Sequence, residues 1–414
     1  MKYLKSTKIL ILSIIVLFVS CKSTKIAFDE DKYMQAIKAD IMYLSSDEME
    51  GREVGTEGER KAAAFISNRF GQLGLKPAFE NGYYQFFQKR KKSNPHADPS
   101  PDDPVIEGRN VGAYKDNGSD YTIIIGAHYD HLGYGPEGSL YSGPPAIHNG
   151  ADDNASGVAT MMALAEILAT KEMENNFLFL AFSGEEKGLW GSNFFVDNNP
   201  LSNEDVNFMI NLDMVGRLND ENKLAVYGTG TSPIWNETLT GIKSDFNFTM
   251  SESGVGPSDH TSFYLEDIPV LAFFTGQHED YHKPSDDWDK LNYDGIMDIL
   301  DYLTDLIAEL DDDGKLAFTK TKDEQEEAPD FKVTLGVIPD YLYDGKGMRI
   351  DGVREGRPAE NAGLIKGDVV MKMGALEIVD MMSYMKALGA FSPGQTVKVT
   401  VLREGEMIEK DVSF

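Results

Sequence analysis

The sequence predicts an α/β protein: a mainly parallel sheet flanked by helices, with a second, smaller β-rich domain behind it. Three observations carry this expectation. Four short apolar runs, YTIIIGA (121–127), FLFLAFS (177–183), VNFMINL (206–212) and PVLAFFT (269–275), have the continuous hydrophobicity of strands buried on both faces. Helical patterns alternate with them, which implies parallel strands joined by crossover helices. From residue 331 the texture changes to short alternating strands with Gly-rich turns and one helix near 381–388. At 414 residues the chain is long enough for two domains, and 41% apolar content argues against a disordered or membrane-embedded protein. A net charge of −29 would repel a phosphate backbone, so no nucleic-acid partner is expected.

Along the chain, residues 1–20 read as a lipoprotein signal peptide. Lys2, Lys5 and Lys8 precede an apolar stretch, Ile9 to Val19, that is short for a membrane span and ends near Cys21, the only cysteine. Cleavage before Cys21 and lipid on its sulfur predict an exported protein, anchored to a bacterial cell membrane and facing the periplasm. A lone cysteine leaves no intrachain disulfide. Residues 21–32 form a polar linker, and helical periodicity opens the main domain, 33–310, near Tyr33. GTEGERKAAAFISNRFGQLGLKP (55–77) supplies a capping box, Thr56 with Glu59, and a stop at Gly74 before Pro77. RKKSNPHADPSPDDP (90–104) is a proline-rich surface loop. NASGVATMMALAEILATK (154–171) puts Val158, Met161, Ala165 and Leu168 on one helical face, and a helix over 293–310 closes the domain. The charged stretch 311–330 reads as an acidic linker without a core pattern, and 331–414 as the second domain.

Six of the seven histidines fall between His128 and His282. Acids accompany them just past the predicted strands: Asp130 in GAHYDHLG, Asp152 and Asp153 in HNGADDNASGV, Glu185 and Glu186 in FSGEEKG, Asp213 in NLDMVGR, and Asp286 in EDYHKPSDDWD. Singly, each has an ordinary account as a histidine partner or a helix cap. In a parallel α/β sheet, however, the carboxyl ends of the strands converge on one crevice. Five such acids and histidines could not share it without a cation. Two histidines and three carboxylates, one able to bridge, form the ligand set of a pair of divalent ions, and nitrogen with oxygen donors suits zinc.

In AHYDH, GADDNASG, FSGEEKGLWGS, NLDMVG, SDH and YHKPSD, in that order over residues 33–310, the chain resembles the di-zinc aminopeptidases of the aminopeptidase Y and bacterial leucyl aminopeptidase type, to which the glutaminyl cyclases are related. The resemblance implies a zinc exopeptidase fold, two Zn2+ ions and peptide substrates. It implies His128 and Asp213 on one zinc, Glu186 and His282 on the other, and Asp153 as the bridge. It implies further that Asp130 orients His128, that Tyr281 donates a hydrogen bond to the oxyanion, and that Asp259, His260 and His278 belong to the substrate pocket. Adjacent carboxylates point in different directions, so Glu185 is expected to face the attacking water as general base while Glu186 binds metal. TLGVIPDY and VREGRPAENAGLIKGDVVMKMG resemble a bacterial PDZ domain. Its carboxylate-binding loop would comprise Leu335, Gly336 and Val337, and a peptide C-terminus would add there as a strand. The expected function is a zinc-dependent aminopeptidase. Alternatives are glutaminyl cyclase, carboxypeptidase or aminoacylase activity on the same fold, or a non-catalytic peptide receptor that uses the PDZ domain.

Overall fold

The computed structural model describes residues 26, 28–90, 100–101, 103–135, 137–321, 333–340, 343, 345–354 and 356–414. The expected signal peptide, Cys21 and most of the proline-rich stretch 90–104 lie outside the described residues. The four apolar runs become the parallel centre of a nine-stranded sheet, in the spatial order Asn176–Phe182, Thr122–His128, Val206–Leu212, Val270–Phe274. Every residue of the first three is buried, as strands covered on both faces require. Alternate side chains enter different cores. Ile123, Ile125, Phe177, Phe179, Phe208 and Ile210 pack with the helices Glu30–Leu44, Glu57–Gln72, Gly157–Ala169 and Tyr293–Leu310. Ile124, Leu178, Leu180 and Met209 meet Phe195 and Phe263 on the opposite face.

Flanking strands make the sheet mixed. Val105–Lys115 runs antiparallel to Asn176–Phe182 and carries Tyr84–Arg90 and Lys76–Pro77. On the other side, Lys223–Tyr227 runs antiparallel to Val270–Phe274 and parallel to Asn247–Ser251. The parallel centre sets the site, because His128 ends one strand, Asp213 follows Leu212, and the single turn Glu185–Lys187 begins three residues beyond Phe182.

Two expectations change. Thr56 Oγ1 caps the Glu59 N–H at 3.3 Å, but the second half of the capping box does not form. The Glu59 carboxylate bypasses the Thr56 N–H: Oε2 accepts the Gly55 N–H at 3.3 Å, and buried Oε1 accepts from the Arg109 N–H (3.0 Å), the Tyr129 hydroxyl (3.2 Å) and the Ser183 hydroxyl (2.9 Å). The three inner donors draw the carboxylate off the Thr56 N–H, which donates to Glu53 O at 3.1 Å instead. Nor are residues 311–321 a free linker. Leu316 is buried with its N–H on Asn207 Oδ1 at 2.8 Å, and Phe318 packs against the Phe195 and Phe263 core. The Thr319 N–H donates to Thr231 O at 2.8 Å, and the Tyr264 hydroxyl lies 2.9 Å from Thr321 Oγ1.

The second domain has its own core, with Val370, Met373, Val399 and Val401 under the helix Met381–Gly389. Its six-stranded sheet ends in the short strand Val337–Pro339, paired with Met348–Val353. Among the described residues no helix is long and apolar enough to cross a membrane.

A chain ending at Thr321 should therefore retain the whole first domain. One ending at Asp313 loses the burial of Leu316 and Phe318 and the associated hydrogen bonds, about 3–5 kcal/mol together. Thermal unfolding followed by circular dichroism should place the shorter chain roughly 10 °C lower. Equal midpoints would show that the segment contributes nothing to the fold.

Candidate metal centre

Asp153 lies between two groups of donors. Its Oδ1 is 3.4 Å from His128 Nε2, which is 3.3 Å from Asp213 Oδ1. Its Oδ2 is 3.1 Å from His282 Nε2, which is 3.3 Å from Glu186 Oε2. Two atoms that share a zinc ion, with bonds of about 2.0–2.1 Å at near-tetrahedral angles, stand roughly 3.3 Å apart. The separations match that spacing, and imidazole nitrogen with carboxylate oxygen is a donor chemistry that zinc favours. The residues present thus fit zinc on either side of Asp153. Asp152 turns away: its Oδ1 accepts from the Gly216 N–H (2.7 Å) and the Ser156 hydroxyl (3.0 Å), and its Oδ2 faces His278 Nε2 at 3.2 Å. Asp286 holds this loop by accepting the N–H groups of Asp152 and Asp153 at 3.0 and 3.1 Å.

Carbonyl groups fix both rings from behind. His282 Nδ1 donates to Gly138 O at 2.9 Å and His128 Nδ1 to Asp130 O at 3.2 Å, which leaves each Nε2 toward the acids. The Asp130 carboxylate does not take the orienting role expected of it. It stands 3.8 Å from His128 Nδ1, too far for a hydrogen bond, and accepts the Glu185 N–H at 3.1 Å instead.

Burial opposes so much negative charge, and the acids answer by recruiting protons. Burial pushes the Glu185 carboxyl well above its usual range and Asp130 up to about 8. Burial also works against the imidazolium form of both histidines. Asp213 and Glu185 nevertheless hold His128 well above its ordinary value, as Glu186 and Asp153 do for His282. Against the same burial, His282 and His131 keep Glu186 well below the carboxylate range. These shifts share one cause, more buried negative charge than the cations of the protein balance.

Glu185 lines a pocket with Tyr227, His260, Phe274 and Tyr281, beside the donors. The Tyr281 ring stacks on His282 with centroids 3.8 Å apart. Of the three residues expected to bind substrate, His260 alone is on this wall. Among the described residues neither of its ring nitrogens has a hydrogen-bond partner, and burial drives its pKa down to about 3, so the imidazole is neutral. Asp259 is fully buried behind the wall, and His278 pairs with Asp152 outside the pocket. In the second domain, Leu335 is a core residue, Gly336 takes φ +72° with its N–H on Thr334 Oγ1 at 3.0 Å, and Val337 begins the edge strand.

Three residues at the centre escape motif reading. His131 Nδ1 is 2.7 Å from Glu186 Oε1 and 3.7 Å from Asp153 Oδ2. The shorter separation is a hydrogen bond, too close for two ligands of one zinc, so His131 braces Glu186. Its position in AHYDH, three residues after His128, is the signal that could have found it. Buried Arg52 donates to the carbonyl oxygens of Tyr129 (2.8 Å), Asn149 (2.7 Å), Gly150 (2.9 Å) and Leu44. It ties together the segments that lead into His128, His131 and Asp153. Glu59 braces the same ends through Tyr129 and Ser183.

Residues 110–307 match the sequence profile of Peptidase family M28, and residues 318–414 that of the PDZ domain. Aminopeptidase YwaD of Bacillus subtilis is 28% identical over 199 residues, 45% of this chain and 40% of that protein. Aminopeptidase Y of Saccharomyces cerevisiae is 25% identical over 211 residues, 46% of this chain and 37% of that protein. The match thus spans about 40% of the length of these relatives. In fold, the chain is similar to BSAP, a zinc aminopeptidase from Bacillus subtilis, with a TM-score of 0.51 at 18% identity over 69% of this chain and 95% of that one. It is likewise similar to Porphyromonas gingivalis glutaminyl cyclase, with a TM-score of 0.53 at 15% identity over 68% and 98% of the two chains.

The brace at His131 makes a prediction independent of turnover. His131→Ala should weaken zinc binding at the Glu186 side by roughly 10–100-fold, the usual effect of removing a ligand's hydrogen-bond partner. Competition with a colorimetric chelator measures it, and wild-type affinity would exclude the brace.

Proposed function

We propose that this chain, in which a Peptidase family M28 domain is joined to a PDZ domain, is a zinc-dependent aminopeptidase that uses two Zn2+ ions to remove N-terminal residues from peptides. The observation that carries the reading is Asp153 with its two oxygens toward two different imidazoles, 3.4 and 3.1 Å away, beside a pocket lined by Glu185. His128 and Asp213 would hold one ion, Glu186 and His282 the other, with Asp153 shared. When bound, the metal supplies Lewis acidity that polarises the scissile carbonyl and lowers the pKa of water toward about 7.

The protein's own groups do the rest. Glu185 accepts a proton from the attacking water and returns it to the leaving amine, a role that its place on the pocket wall beside the donors allows. Tyr281, on the pocket wall, donates a hydrogen bond to the developing oxyanion. Neutral His260, with a nitrogen unpartnered, offers a hydrogen bond to the bound peptide. The edge strand Val337–Pro339 offers a peptide C-terminus a site for strand addition. As part of the same proposal, Cys21 carries a lipid that holds the exported protein at a bacterial membrane. Cys21→Ala should then move activity to the soluble fraction, and retention of the variant in membranes would exclude the anchor.

Substitutions at the paired glutamates test the chemistry. Glu185→Gln keeps the shape but cannot accept a proton, so turnover should fall roughly 10²–10⁴-fold with zinc content unchanged. Glu186→Gln removes a ligand, so one ion should be lost and added zinc should restore part of the activity. Loss of metal in Glu185→Gln alone would reverse the two roles. A peptide library read by mass spectrometry should show shortening from free N-termini and resistance of N-acetylated peptides. Shortening of acetylated peptides from the other end would overturn the aminopeptidase reading, and loss of ammonia from an N-terminal Gln would support a cyclase.

A further inference from the structure

The loop that orients His282 is itself held from the second domain. Gly138 O accepts from His282 Nδ1 at 2.9 Å and the Leu140 N–H donates to His282 O at 2.9 Å, so residues 138–140 strap the histidine at its ring and its main chain. The strap has little packing of its own, since Gly138 is exposed and Ser139 and Leu140 are only half-buried, and within the first domain its side-chain tie is Ser139 Oγ, 2.7 Å from His148 Nε2. Beside it a cleft of about 450 Å³ separates Leu140 and Lys283 from Val353 and Lys366 of the second domain.

Arg354 reaches the strap along this cleft. It follows the strand Met348–Val353, and its Nη2 donates to Ser139 O at 2.7 Å and approaches Gly138 O at 3.5 Å. The other end of the residue is anchored as well. Its main-chain N–H donates to Gly336 O at 2.8 Å, inside the loop at 335–337. A guanidinium bond to a carbonyl is charge-assisted, and here it meets main-chain atoms that no apolar core secures. The acceptor that sets the His282 ring is therefore fixed across the domain boundary.

We propose that Arg354 is a positioning residue of the metal centre: by clamping the strap at 138–140 from the PDZ domain, it holds the His282 imidazole in its ligating orientation. The inference rests on the reading of His282 as a zinc ligand. It makes one ligand of one ion depend on a residue of the other domain, while His128, Asp153 and Asp213 are braced wholly within the first.

The test uses full-length, zinc-loaded protein titrated with a colorimetric zinc chelator, with bound zinc counted and thermal midpoints measured alongside. Arg354→Ala should release one ion at a roughly 10–100-fold lower chelator concentration and keep the other as the wild type does. Arg354→Lys, which can still donate to Ser139 O, should fall between the two. Arg357→Ala, a neighbouring arginine without a bond to the strap, should release zinc as the wild type does. Wild-type release from Arg354→Ala would overturn the proposal. So would equal weakening of both ions with a lowered midpoint, which marks general loosening. Should Arg354→Ala fail to fold, wild-type release from a folded Arg354→Lys overturns it in the same way. His282→Ala is the separate control: retention of two ions there would instead overturn the ligand reading.

Discussion

Negative charge buried without enough positive charge is the constraint on which the centre depends. Asp130, Asp153, Glu185 and Glu186 are gathered at strand ends that an apolar sheet forces together, and water cannot solvate them there. Arg52 compensates from below. Burial lowers its pKa only to about 10, so it remains a cation at neutral pH, and the nearby charges of Asp153 and Asp130 favour that form. Its donors are spent on main-chain carbonyls, so the guanidinium cannot collapse onto the acids and cancel the site. It lends charge to the cluster while leaving the carboxylate oxygens and imidazole nitrogens facing one another.

The same constraint shapes the backbone. Gly184 takes φ +78° directly before Glu185, a conformation in which a side chain is strained, and this reverses the chain after a buried strand so that both glutamates return to the pocket. His282 takes φ +54° without being glycine, at a cost on the order of 1–3 kcal/mol. The two bonds to residues 138–140 offset that cost, so the strap stabilises a His282 conformation that the local sequence alone would not adopt.

The strands were legible because each is buried on both faces and so is apolar throughout: the run 121–127 becomes Thr122–His128, and 206–212 is Val206–Leu212 to the residue. The antiparallel flanks were not, since Tyr84–Arg90 is mostly exposed and carries no core pattern. Donor residues were legible because they cluster at strand ends in short polar motifs. Their supports were not, because a brace such as Arg52 acts on main-chain carbonyls far along the chain, and Glu59 reads as a helix cap until the fold brings Ser183 and Tyr129 to it. Residues 311–321 misled for a related reason: acidic side chains surround the few apolar ones, Leu316 and Phe318, that dock. Asp130 shows the finer limit, since sequence offers its carboxylate to His128 while the fold uses its carbonyl.

The adjacent glutamates follow from these supports rather than from any tolerance of like charge. Glu186 is met by two imidazoles, His131 at 2.7 Å and His282 at 3.3 Å, and its carboxylate is held ionised. Glu185 has its N–H on Asp130, and burial lifts its carboxyl well above the usual range against the pull of His128, with Glu186 and Asp213 adding to the rise. One turn of chain thus drives two neighbouring, chemically identical groups to opposite proton affinities, Glu186 below the carboxylate range and Glu185 above it.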